Sequence, residues 1–220
     1  MAVNTEQYQR IQDELAAHNV TLVAVSKIKP ASDIQALYDL GQRDFGENYV
    51  QELVEKQEQL PVDINWHFIG HLQRNKVKYI APFVHLIHGV DSYNLLKEIN
   101  KQAIKNHRVI NCLLQVHIAQ EETKFGLNEE ELHALLEKTE DLQQVHIKGL
   151  MGMASFSDDE KIVRKEFRML KKLFDQLKEY RLPQLQAETL SMGMSGDYTM
   201  AIEEGSNMVR IGSLLFGRRG

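Results

Sequence analysis

The feature that most constrains this chain is an alternation that runs through all 220 residues, in which eight short apolar runs are separated by longer amphipathic ones. The runs are TLVAVS (21–26), DFG (44–46), WHFIG (66–70), LIHGV (86–90), INCLLQVHI (110–118), IKGLMGM (147–153), ETLSMGM (188–194) and MVRIG (208–212). Each is rich in β-branched residues or in Leu and Met, and apolar at both parities, as expected of a parallel strand covered on both faces. Helical patterns fill the gaps at 32–40, 48–59, 72–80, 92–105, 128–138, 158–180 and 198–204. In the sixth, Val163, Phe167, Leu170, Phe174 and Leu177 form an apolar stripe at helical spacing. Its basic residues are interspersed with Glu160, Glu166, Asp175 and Glu179, so they read as a solvated face and not as an anion-binding surface. Tyr8, Ile11 and Leu15 mark one more amphipathic helix ahead of the first strand.

Eight strands alternating with helices predict a parallel sheet, and eight is the number that closes a (β/α)8 TIM-type barrel. An open doubly wound sheet would want a Gly-rich turn straight after its first strand, where this chain has SKIKPAS. Pro30, Pro61, Pro82 and Pro183 stand singly, with no Pro/Gly-rich linker, so residues 1–220 are read as a single domain.

Charge and composition remove several function classes. With 26 basic against 31 acidic residues the net charge is −5, which does not suit a nucleic-acid binder. No run is long enough for a membrane helix, and the start, MAVNTEQYQR, lacks the pattern of a signal peptide, so no membrane association and a cytoplasmic location are expected. Cys112 is the single cysteine, which excludes an internal disulfide and reads as an inert buried thiol. His67, His71, His85 and His88 show no ligand-pair spacing, so no metal is expected and they read as core or capping residues.

In a barrel the C-terminal ends of the strands and the loops beyond them line the active site. If Val23 and Val25 face the barrel interior, alternation turns Lys27 inward at the mouth. Such a lysine is either simply exposed or, among apolar neighbours, holds a neutral amine able to react with carbonyl compounds. At the last two strand ends, SMGMSG (191–196) and RIG (210–212) place small residues where backbone N–H groups can approach a phosphate, with a helix beginning near Asp197 or Tyr198. A phosphate site facing a reactive lysine matches one cofactor, pyridoxal 5′-phosphate, PLP. Glu47, Glu121 and Lys124 read as acid/base groups or, preferably, as a salt-bridge network at the rim.

AVSKIKP (24–30), FGENYVQE (45–52), WHFIGHLQRNK (66–76), LLQVHI with ETKFG (113–126), GLMGM (149–153), LSMGMSGD (190–197) and VRIGSLLFGRR (209–219) resemble the successive signatures of the PLP homeostasis proteins. These are small PLP-binding proteins similar to the barrel domain of alanine racemase. The resemblance implies a fold-type III PLP barrel in which Lys27 holds the cofactor as an internal aldimine. By the same resemblance Ser191, Gly193 and Gly212 receive the phosphate, Arg210 faces the pyridine nitrogen, and Asn48 lies near the ring. His117 stands where Asn is expected, and Ala154, Ser155 and Phe156 replace a proline-rich turn.

The implied function is PLP binding in intracellular vitamin B6 and amino-acid homeostasis without robust catalysis, the alternative being an amino-acid racemase-like enzyme. Arg210 can only donate, which leaves the pyridine nitrogen unprotonated and the ring a weaker electron sink. The chain also ends eight residues after Gly212, with no second domain to supply a second acid/base group. The binding class is therefore expected, with PLP as partner, amino acids or apo-PLP enzymes as further partners, and a monomer or weak dimer as the assembly.

Overall fold

The computed structural model describes residues 3–121 and 125–217. After helix α1 (Thr5–Ala17), strands and helices alternate as β1 (Thr21–Val25), α2 (Ala31–Asp39), β2 (Asp44–Glu47), α3 (Val50–Gln59) and β3 (Asn65–Phe68). A 3-10 turn (Arg74–Lys76) precedes α4 (Val77–Ile80), β4 (Leu86–Val90), α5 (Tyr93–Lys105), β5 (Ile110–Gln115), α6 (Glu129–Leu136) and β6 (Val145–Met151). The chain continues through α7 (Glu160–Leu177), β7 (Leu185–Met194), α8 (Tyr198–Glu203), β8 (Met208–Ile211) and α9 (Ser213–Phe216). The strands lie side by side in chain order, and parallel pairing of β8 with β1 closes the expected barrel.

The sequence patterns place most elements within a turn of their bounds, and local chemistry sets the ends. Side chains of Asn4, Ser92, Asp159 and Asn128 cap α1, α5, α7 and α6, the last in a reciprocal capping box with Glu131. The expected helix at 72–80 is the exception: only a 3-10 turn and the single turn of α4 form there.

Strand alternation divides the core in two. Phe45, Trp66, Phe68, Ile87, Cys112, Leu190 and Val209 point outward and are buried beneath the helices. Val23, Leu86, Leu113, Met151 and Met208 pack inside the barrel. The strands are not apolar at both parities as the sequence reading expects: His67, His88, Ser191 and Arg210 are all buried within the ring of strands. Of the methionines on β6 and β7, Met151 is inside the barrel, Met192 packs under the helices, and Met194 is exposed.

The turn after β1 is held by α3. Ser26 Oγ donates to Glu47 Oε1 at 2.6 Å, and Lys56 Nζ donates to that same oxygen at 2.7 Å, to Ser26 O at 2.8 Å and to Glu52 Oε1 at 2.6 Å. Glu52 Oε1 also accepts the Ile28 N–H at 2.6 Å, and Lys29 Nζ reaches Phe216 O at 2.7 Å. The grip matters because Ile28 sits at φ 62°, a conformation strained for a β-branched residue and retained only when its surroundings enforce it. Glu47, read in the sequence as an acid/base or rim residue, is thus a buried strut facing away from the barrel interior. Burial pushes its pKa up, against the opposing pull of Lys56 and Ser26.

Two backbone-level expectations test this fold. At Gly149, with φ +144°, an added Cβ would lie 1.9 Å from Thr189 O, whereas at Gly41, with φ +101°, nothing lies within 4 Å. Gly149→Ala should cost at least ~3 kcal/mol and Gly41→Ala only ~1 kcal/mol, read as the loss of unfolding free energy in urea. Lys56→Met should cost ~3 kcal/mol by leaving the Glu47 carboxylate buried without its cation, lowering Tm by roughly 6–12 °C. Because the folded-state pKa of Glu47 is raised, its protonated form is tolerated at lower pH and its charge is penalised as pH rises. The deficit of Lys56→Met should therefore be larger in neutral than in mildly acidic buffer, and Glu47→Gln added to it should restore part of the loss.

Candidate functional site

A cavity of about 520 Å³ opens at the C-terminal mouth of the barrel, a size typical of small-molecule sites. Val25 and Lys27 line it, two and four residues beyond inward-facing Val23, as the alternation along β1 requires. Asn48, Arg210 and Gly212 line the same space. Asn48 Oδ1 is buried and has no hydrogen-bond partner among the described residues.

Ser191 and Gly193 lie elsewhere. Ser191 is fully buried and its hydroxyl is committed to Arg210 Nη1 at 2.6 Å and His88 Nδ1 at 3.2 Å. Gly193 adopts φ +97° where α8 packs on β7, and a Cβ there would meet Ala201 Cβ at 2.6 Å. The small residues that do line the mouth after β7 are Ser195 and Gly196, joined by Ser213 after β8. The turn carrying the first two is fixed by Asp197, whose Oδ1 accepts the Met194 N–H at 2.6 Å, while Ser195 Oγ accepts the Gly212 N–H at 3.2 Å. The two strand ends are thereby tied together. Ser195 was visible in SMGMSG; the signal for choosing it over Ser191 is that it stands just past the strand end.

Arg210 is held from behind. Its Nη1 donates to Ser191 O at 2.9 Å as well as to the hydroxyl, and its Nη2 donates to Gly152 O at 3.0 Å. Burial lowers its pKa to about 10, which still leaves it cationic at neutral pH. Beyond Ser191 a line of contacts crosses the interior: His88 Nε2 to His67 Nδ1 at 2.9 Å, then His67 Nε2 to Asp44 Oδ1 at 2.9 Å, at the start of β2. Burial holds the His88 pKa well below the imidazole range, so that ring is neutral. Burial also raises the Asp44 pKa, but the His67 hydrogen bond and the other groups around it outweigh this and leave it below the usual carboxylate range. Arg210 only donates and ionised Asp44 only accepts. A consistent chain then runs one way: Arg210 to Ser191, Ser191 O–H to His88 Nδ1, His88 Nε2–H to His67 Nδ1, and His67 Nε2–H to Asp44. No sequence spacing announces this line, because its members come from five different strands or strand ends.

The rim is built from loops. Ser155 is clamped by Glu166 of α7, with its N–H and Oγ at 2.6 and 2.7 Å from the two carboxylate oxygens. Phe156 follows, lining the cavity while otherwise fully exposed. Glu121 Oε1 accepts the Phe156 N–H at 3.1 Å, and His117 Nε2 contacts Glu121 O at 2.9 Å, so both positions that depart from the expected motifs shape this loop. Lys124 lies outside the described residues. After β3, and off the cavity wall, His71 is bonded to Asp91 at 3.2 Å and stacked on Phe125. On α7, Arg164 and Arg168 pair with Glu204, in keeping with a solvated charged face.

Residues 4–220 match the family profile "Alanine racemase, N-terminal domain". A "Pyridoxal phosphate homeostasis protein" of Aquifex aeolicus is 46% identical over 200 residues, 90% of this chain and 86% of that one. A protein of the same name from Schizosaccharomyces pombe is 39% identical, covering 96% and 89% of the two chains. The solved structure of PipY of Synechococcus elongatus with PLP bound superposes with a TM-score of 0.88 at 36% identity, covering 96% of this chain and 99% of that one. Alanine racemase of Clostridium difficile shares the fold, with a TM-score of 0.79 at 14% identity over 61% of its length. The chain therefore belongs to the alanine racemase N-terminal domain family and stands among its pyridoxal phosphate homeostasis proteins.

Proposed function

We propose that this protein binds PLP in the mouth of its barrel and serves intracellular vitamin B6 and amino-acid homeostasis as a carrier or regulator, not as an amino-acid racemase. One observation carries the reading: Lys27, Arg210 and the small residues at the ends of β7 and β8 face a single cavity large enough for the cofactor. The donor set fits the group. Ser195, Gly196 and Ser213 offer N–H and O–H donors to a phosphate, Gly212 ties its own N–H to Ser195 Oγ beside them, and the cationic Arg210 adds its charge to the same cavity. Lys27 supplies the amine for covalent attachment, and Asn48 has an amide oxygen still to be satisfied.

When bound, PLP supplies an aldehyde that captures amines and a ring that withdraws electrons from them. The residues of this chain temper the second property. Arg210 donates and has no lone pair with which to accept, so a pyridine nitrogen facing it stays unprotonated. Ser191, by holding the guanidinium from behind, positions that donor and does not itself meet the phosphate. Exchange of amines at Lys27 needs only access, which the open mouth provides, so amino acids and apo-PLP enzymes are the further partners. No described helix is long and apolar enough to cross a membrane, in keeping with a cytoplasmic location. One barrel domain acting as a monomer or weak dimer suffices for this role.

Borohydride reduction of PLP-loaded protein followed by peptide mapping should place the adduct on Lys27, and Lys27→Ala should lose it; an adduct on Lys29 in the parent would contradict the reading. Ser195→Ala should weaken PLP binding about tenfold through loss of one charge-assisted hydrogen bond, with pyridoxal unaffected. Ser191→Ala should instead alter the cofactor's absorption more than the preference for PLP over pyridoxal. Steady racemisation of any amino acid that depends on Lys27 would move the protein to the enzyme class.

A further inference from the structure

At the opposite end of the barrel from the cofactor cavity, Asp44 begins β2, His67 lies within β3 and His85 stands immediately before β4. Closure of the barrel brings one ligand atom from each within 4.8 Å of the other two. In the sequence these residues are 23 and 18 positions apart, which is why spacing gave no hint of a ligand set. Two imidazoles and one carboxylate, open to water on the remaining side, are a donor set suited to a first-row transition-metal dication and unsuited to Mg²⁺ or Ca²⁺.

Two features go beyond proximity. His67 Nε2 and Asp44 Oδ1 are 2.9 Å apart across a hydrogen bond, and ligands of a tetrahedral ion with bonds of roughly 2.1 Å stand ~3.4 Å apart, so the pair needs to part by only about 0.5 Å to share one ion. The fully buried His67 ring is also oriented from behind, with Nδ1 at 2.9 Å from His88 Nε2, the kind of outer partner that metal-bound imidazoles almost always have. Asn65 Nδ2 donates to Asp44 Oδ1 at 3.2 Å and steadies the carboxylate. His85 is exposed, so the third ligand is free to turn inward and the site has an entry path. The neighbouring cation, Arg108, is bound to the carbonyls of Ala81 and Val84, so an ion here must gain from direct coordination and not from a general negative field.

We propose that Asp44, His67 and His85 bind a transition-metal dication such as Zn²⁺ at the N-terminal end of the barrel, and that this site is wired to Arg210. Coordination through His67 Nε2 leaves the ring proton on Nδ1, where it donates to His88 Nε2. His88 then carries its own proton on Nδ1 and donates to Ser191 Oγ. Each ring keeps one proton, the direction of the hydrogen bonds behind Arg210 is reversed, and the Ser191 hydroxyl hydrogen is turned away from His88 while its oxygen accepts from both neighbours. The wiring, though not the binding, rests on the cofactor reading given above.

Calorimetric titration of the cofactor-free protein with ZnCl₂ tests the binding on its own, with CoCl₂ added separately to read ligand-field absorption. The expected result is one equivalent of Zn²⁺, bound at least ~tenfold more tightly than Mg²⁺. His85→Ala, a change at the surface, and Asp44→Asn should each weaken Zn²⁺ at least ~tenfold while leaving the circular dichroism unchanged. Absence of Zn²⁺ binding, or equal affinity in both variants, would overturn the site. In PLP-loaded protein the cofactor absorption should shift with the Zn²⁺ binding isotherm, and the shift should vanish in Ser191→Ala with Zn²⁺ still bound. Binding with no spectral change in the parent would overturn the wiring and leave the PLP reading intact.

Discussion

A closed ring of eight parallel strands gives every second residue an inward direction, and nearly everything else in this protein follows from that alternation. On β1 it sends Val23 into the interior and Val25 and Lys27 to the mouth; on β8 it sends Met208 inward, then Arg210 and Gly212 to the same opening. A one-residue slip in either strand would exchange these for Leu22, Ala24, Val209 and Ile211, which lie beneath the helices. The register that fills the outer core is thus also the register that assembles the cavity.

The interior must also accommodate a buried guanidinium. Arg210 is 4% exposed, and an unsatisfied charge at that depth would be strongly destabilising. Its named acceptors, Ser191 and the Gly152 carbonyl, are neutral, and the chain through His88 and His67 ends on the carboxylate of Asp44. The polar centre of the barrel is therefore a consequence of placing a cation at the mouth. On the other side of the mouth, the Glu47, Lys56 and Glu52 group clamps the strained turn at Ile28, so both walls of the cavity are held by buried polar contacts.

The fold was legible because parallel strands and amphipathic helices leave different periodicities, and eight of the former in strict alternation admit few closures. That Lys27, Arg210 and Gly212 line the mouth was legible because strand ends are where a barrel concentrates its chemistry, and Asn48 was placed there by the resemblance. The end of β7 at Met194 was legible in ETLSMGM, but Ser191 and Gly193 were taken from the resemblance and not from that boundary, and it is Ser195 and Gly196, just past it, that line the mouth. Lys56 was hidden in an ordinary charged helix, and the Asp44 to Ser191 line was hidden because its members meet only across strands. Local pattern reports faces and ends well, but contacts across the barrel appear only once it is closed.

The account stands on one claim, that Lys27 and the ends of β7 and β8 address the same molecule from opposite walls of the mouth. A crystal structure of the PLP complex tests it most directly. Density should run continuously from Lys27 Nζ into the cofactor, with the phosphate on Ser195, Gly196 and Ser213 and the Arg210 guanidinium at the pyridine nitrogen. A phosphate seated on Ser191, or a ring turned so that Arg210 meets the phosphate instead, would contradict it.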